Sequence, residues 1–113
     1  MPGELPENTL IKVLAALPLD VTYIDEHDVI RYYSDYRIFN RTPDILGITV
    51  QNCHKPESRD EVNRVIDDLR SGRKGVSEYP TEKDGRRVRV RYIAVKDEKG
   101  AYAGLVETAE WVD

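Results

Sequence analysis

The sequence holds one cysteine, one methionine, one tryptophan, one phenylalanine and two histidines in 113 residues. A single cysteine cannot close an internal disulfide, so packing and hydrogen bonds must hold the chain, as in proteins of reducing compartments. No apolar run approaches the roughly 20 residues of a membrane span. The first residues, Met1 to Pro6, lack the basic start and apolar centre of a secretory signal, and the expected location is the cytoplasm. There is no glycine-rich phosphate loop, no nucleophile motif and no helical pair of metal ligands, so turnover is not expected. A net charge of −4 argues against nucleic acid as a partner.

What the chain does have is 40% hydrophobic and 34% charged residues, enough apolar side chain for one core beneath a well-solvated exterior. At this length, folding buries roughly two-thirds of the unfolded surface, which fits a single domain. Leu10, Val13, Leu14 and Leu17 recur at helical spacing, with Asn8 or Thr9 as N-cap and Pro18 as stop. Two β-rich runs, Asp20 to Asp25 and Val29 to Ser34, flank the polar turn Glu26-His27-Asp28 and predict a hairpin. His27 reads as a solvated turn residue, and Asp25 and Asp28 as structural carboxylates. Tyr36 to Asn40 and Asp44 to Leu46 read as single helical turns. Ser58-Arg59-Asp60-Glu61 reads as a capping box opening a helix through Val62, Val65, Ile66 and Leu69, which stops at Ser71-Gly72. Three strands follow, Gly75 to Thr81, Arg86 to Lys96 and Ala101 to Val112, linked by turn-forming Asp84-Gly85 and Asp97 to Gly100.

Alternation in the middle strand separates Val88, Val90, Tyr92 and Ala94, directed at the helices, from Arg87, Arg89 and Arg91 on the other face. With Arg86, these arginines are the one candidate nucleic-acid surface. Cross-strand pairing with Glu78, Glu107 and Glu110 accounts for them as a wet, ion-paired sheet face.

The element order and several residues resemble the PAS domain. His54-Lys55-Pro56-Glu57-Ser58 before the long helix is similar to the segment that opens that helix in PAS domains, and Asp84-Gly85 to their usual hairpin. Arg41-Thr42-Pro43 with Gly47, Val50-Gln51-Asn52-Cys53-His54 and Arg91 to Val95 resemble the C-terminal PAS domain of prokaryotic proteins with a hemerythrin-like cation-binding domain. The resemblance implies an α+β PAS fold: a five-stranded antiparallel sheet with short helices and one longer helix on one face. It also implies an N-terminal flanking helix over residues 1–18, followed by the domain over residues 19–113. Where those relatives read Cys-His-Pro-Pro-Lys-Ser, this chain has Cys53-His54-Lys55-Pro56-Glu57-Ser58, and its segment before Phe39 is shorter. A shorter wall implies a smaller or differently shaped cavity.

The implied function is a sensory module that binds a small ligand or cofactor, or senses redox state, and signals through protein contacts. Its expected partners are a second copy and a hemerythrin-like domain, in the full-length protein or elsewhere. The alternative is a ligand-free dimerisation scaffold. Candidate ligand-contacting residues are His54, Cys53, Tyr32, Phe39, Val90 and Tyr92. Adjacent residues on extended chain point apart, so Cys53 and His54 do not make a zinc site, whereas one histidine suffices for haem; His54 is the candidate axial ligand. Cys53 is the candidate redox thiol, or else a small buried apolar residue.

Overall fold

The computed structural model describes residues 3–112. Met1, Pro2 and Asp113, which bound the two expected segments, lie outside the described residues. Helix α1 (Glu7–Ala16) precedes strands β1 (Asp20–Ile24) and β2 (Ile30–Tyr33), then a 3-10 turn at Pro43–Ile45, the short helix α2 (Val50–Cys53) and a 3-10 turn at Pro56–Ser58. Helix α3 (Arg59–Arg70) and strands β3 (Val76–Lys83), β4 (Arg86–Lys96) and β5 (Tyr102–Trp111) complete the chain. The strands form one five-stranded antiparallel sheet in the order β2-β1-β5-β4-β3, with the connector and α3 on one face, as expected.

Several local expectations are corrected. The amides of Thr9 and Leu10 donate to the Pro6 carbonyl, so the helix has already begun at Glu7 and neither Asn8 nor Thr9 caps it. Leu17 then turns extended, as a residue before proline prefers. No helical turn forms at Tyr36 to Asn40, because Asp20 captures the Ile38 and Phe39 amides that such a turn would use. Ser58 forms no capping hydrogen bond, since the preceding 3-10 turn already holds its backbone in the helical region. Cys53 and His54 do not share one extended run: Cys53 ends α2, which Thr49 caps at its start by accepting from the Asn52 amide, and the chain becomes extended only at His54.

On the inner face, rows of side chains cross the sheet in register. Ile24, Leu105 and Ala94 form one row, and Val65, Ile66 and Leu69 of α3 pack over the core they help build. Burying each of these α3 side chains contributes on the order of 1.5–3 kcal/mol. The next row is polar: Thr22, Glu107, Tyr92 and Ser77 lie side by side across β1, β5, β4 and β3. Beyond it Val88, Ala109 and Ile38 form a second, smaller core with Phe39, Val90 and Trp111 against it. At Gly104, φ is +114° and a Cβ would collide with the Ile24 carbonyl, so β5 passes β1 closely where only glycine fits.

The loop after β2 is held by Asp20, which is 2% exposed. One carboxylate oxygen accepts from the Ile38 and Phe39 amides, both at 2.9 Å, while the other pairs with Arg37 Nη1 at 2.6 Å. Arg37 also donates to the carbonyls of Phe39 and Val21. Asp20→Ala would strand a buried guanidinium and two amides, and is expected to lower stability by about 3–5 kcal/mol. Urea unfolding at neutral pH checks it; a loss comparable to that of an exposed aspartate would contradict this role for the carboxylate.

Candidate functional site

The polar row would be an unlikely floor for a solid core, and it is where the inner face opens. A cavity of about 390 Å³ lies over Glu107 and Tyr92, between α3 and the loop carrying Phe39 and Arg41. Val62 and Val65 of α3 form one wall, and Phe39, Tyr79 and Val90 the others. Tyr79 and Tyr92 meet edge to face at 5.9 Å between ring centres. Ser58 and the exposed Glu61 stand at the α3 side of the cavity.

Four of its polar groups matter most: Glu107, Tyr92, Arg41 and His54. Glu107, 8% exposed, rises from β5 between Leu105 and Ala109. Tyr92 faces it in register from the neighbouring strand, and burial first, then the Glu107 charge, push the phenol above its ordinary range. Arg41 reaches in from the connector: Nη2 lies 3.6 Å from Glu107 Oε1 and Nη1 lies 3.7 Å from Cys53 Sγ. Arg41 Nε is shielded from solvent and has no hydrogen-bond partner among the described residues. His54, just past α2, contacts the Val50 carbonyl through Nδ1 at 2.9 Å. Because a carbonyl only accepts, Nδ1 carries a proton and donates, which leaves Nε2 outside this bond. His54 therefore bonds back to its own chain and also lines the cavity.

Of the candidate residues, His54, Phe39, Val90 and Tyr92 come together here. Cys53 packs half-buried against the main core and reaches the site only through Arg41. Tyr32 does not belong to it. A register irregularity between Tyr23 and Ile24 sets Tyr32 opposite Tyr23 on the outer face, at the far edge of the sheet. Sequence reasoning missed Glu107 and Arg41 as site residues. Glu107 was matched by charge to the arginine comb, whereas its register with Tyr92 puts it on the inner face. The available signal was an acid in the inward series Leu105, Glu107, Ala109, Trp111.

The comb itself is ion-paired. Arg89 Nε donates to Glu110 Oε1 at 2.8 Å and Arg91 Nη2 to the same oxygen at 2.9 Å, while Arg86 stacks 4.1 Å over the Trp111 ring. A broader groove of about 730 Å³ beside it, lined by Glu82, Arg87 and Arg89, is open, and its charges face each other across strands. In the β1–β2 turn, burial of Asp25 opposes its charge. Arg31 and the Val29 and His27 amides outweigh that and hold the carboxyl below its usual range. His27 is exposed beside Glu26, and Asp28 is tied to Arg70 and Gln51. Among the described residues, no three or more His, Cys, Asp or Glu side chains gather to hold a metal ion, and no helix is long and apolar enough to cross a membrane.

Comparison with known proteins now bears on this architecture. The model of the PAS domain family matches residues 10–112. The chain belongs to the PAS domain family. PAS domains are non-catalytic modules, which agrees with the expectation of no turnover. Among solved structures, the C-terminal domain of a Streptococcus mutans protein is 30% identical with a TM-score of 0.93, over 100% of this chain and 90% of that one. The PAS domain of BvgS from Bordetella pertussis is 16% identical, with a TM-score of 0.71 over 94% of this chain and 85% of that one. A sensory box sensor histidine kinase from Vibrio cholerae is 18% identical, with a TM-score of 0.66 over 91% of this chain and 88% of that one. No curated protein matches the sequence.

The raised phenol of Tyr92 gives a pH test. A group whose folded pKa exceeds its unfolded value of about 10 contributes stability that is complete below that value and is lost as pH rises beyond it. Urea stability is expected to fall as the pH is taken from about 8 to about 11. The fall should be shallower in Tyr92→Phe, though not absent, because burial also raises Tyr23 and Tyr102. Parallel pH profiles for the two proteins would contradict the burial of an ionisable phenol at this position.

Proposed function

We propose that this PAS domain is a sensory signalling module: a small molecule enters the cavity over Glu107, and its occupancy is passed to a partner surface that includes α1. The observation that carries the reading is the cavity, about 390 Å³, lined by polar groups about as much as by apolar side chains. Small-ligand sites are commonly roughly 300–1,000 Å³. The relay to α1 is short. Asp20 holds Phe39 at the cavity wall, and Ser34 Oγ joins the Leu19 and Tyr36 carbonyls, three residues past the end of α1. Likeness to the PAS domains of sensor kinases supports the signalling role.

In this reading residues 1–18 are the flanking helix and residues 19–113 the sensing domain, working in the cytoplasm as a homodimer. The resemblance around Arg41-Thr42-Pro43 and Cys53-His54 supports a hemerythrin-like domain in the full-length protein or as a partner. A redox version would use Cys53, which touches Arg41 and so could report its oxidation to the cavity. Haem fits less well. His54 Nε2 would be the axial nitrogen, but the mouth offers Glu61 where anionic propionates would call for cations.

The second reading, a ligand-free dimerisation scaffold, is favoured by α1, whose Leu10, Ile11, Val13 and Leu17 are 43%, 57%, 41% and 38% exposed. A helix with that apolar stripe and no buried residue suits a second copy. Native mass spectrometry of the purified chain, with Val62→Trp as a cavity-filling variant, separates the readings. The sensor reading expects a bound small molecule, co-purified or taken up from an extract, that Val62→Trp excludes while its dimer persists. A dimer with no uptake would leave the scaffold. In either case Leu10→Asp with Val13→Asp is expected to give monomers with the thermal midpoint unchanged, and a persistent dimer would remove α1 from the interface.

A further inference from the structure

We infer that the cavity selects a small neutral molecule carrying a cyclic amide edge, an N–H beside a C=O on a flat ring, as an oxopurine presents. The inference rests on reading the cavity as a ligand site and names the chemistry it would take. The floor is an acid and a base that are close but not joined. Arg41 Nη2 and Glu107 Oε1 are 3.6 Å apart, beyond hydrogen-bond length. A guanidinium has five N–H donors. Among the described residues, Arg41 meets the long Cys53 sulfur contact and the Glu107 charge, and Nε has no hydrogen-bond partner. Glu107 lies beside Tyr92 in register, and its carboxylate can accept hydrogen bonds.

These two groups fix the charge of the occupant. Their own charges cancel, so an anion drawn to Arg41 would meet Glu107, and a cation drawn to Glu107 would meet Arg41. Either would leave one buried charge in excess, which is costly in a site walled by valines and aromatics. A neutral ligand with a donor next to an acceptor avoids this: its C=O accepts from Arg41 and its N–H donates to Glu107. Nothing is transferred, and each deficient group gains a charge-assisted hydrogen bond. The walls fix the shape. Phe39, Val62, Val65 and Val90 line the cavity with apolar surface, against which a planar ring can pack. His54 is anchored to the Val50 carbonyl and holds its side of the cavity.

The test titrates the 113-residue chain with hypoxanthine, which has the amide edge, and with purine, which lacks it, benzoate and benzylamine. Calorimetry gives affinities, and amide shifts of Phe39, Val90 and Tyr92 report the site. Hypoxanthine is expected to bind at least about tenfold more tightly than purine, because purine would leave the floor groups unmet. In Glu107→Gln, hypoxanthine should weaken about tenfold and benzoate gain, since Arg41 would then stand alone. If that variant does not fold by circular dichroism, Arg41→Gln should show the mirror result, benzylamine gaining. Tighter binding of purine, benzoate or benzylamine at these amides in the unaltered protein would overturn the ligand class and leave the cavity reading intact. No shift at the three amides with any of the four probes would overturn both.

Discussion

The carboxylate of Asp20 is the contact on which the arrangement of this domain most depends. It sits at the start of β1, almost wholly buried, and gathers two amides and a guanidinium from a loop with no regular structure of its own. A buried ion pair is costly unless its geometry and its other hydrogen bonds are satisfied. Here three partners satisfy the carboxylate, and the return is positional: residues 37–41 are fixed over the sheet. Phe39 becomes a cavity wall and Arg41 is brought to Glu107. The same carboxylate lies a few residues from α1, so the cavity and the exposed helix share one anchor.

Above that anchor, the polar row from Thr22 to Ser77 explains why the inner face opens into a cavity. Apolar rows on either side pack as two separate cores, and between them the sheet presents an acid, a phenol and two hydroxyls. Aliphatic side chains from α3 have little to gain by closing on such a row. Polar groups from the connector can meet it, and Arg41 does so incompletely. The cavity is thus a consequence of where the sequence spends its buried polar residues.

Much of the frame was legible. The 3.6-residue spacing from Val62 to Leu69 located α3, and strict alternation in β4 turned Val90 and Tyr92 inward, where they line the cavity. Other readings failed where a tertiary partner replaced a local one. Asp20 took the amides of a turn expected at Tyr36 to Asn40, the 3-10 turn at Pro56 removed the role of Ser58 as a cap, and a slip in β1–β2 register carried Tyr32 to the other face. Glu107 was misplaced because complementary charge was weighed above alternation.

By itself, then, the sequence determined most of the elements and which face of the central strand is apolar. These follow from short-range periodicity and turn chemistry, which neighbouring residues along the chain carry. Only the tertiary structure decided that Arg41 and Glu107, far apart in sequence, stand 3.6 Å apart and line one cavity. That proximity depends on strand register and on the Asp20 clamp, and both are contacts between distant segments that no local pattern encodes.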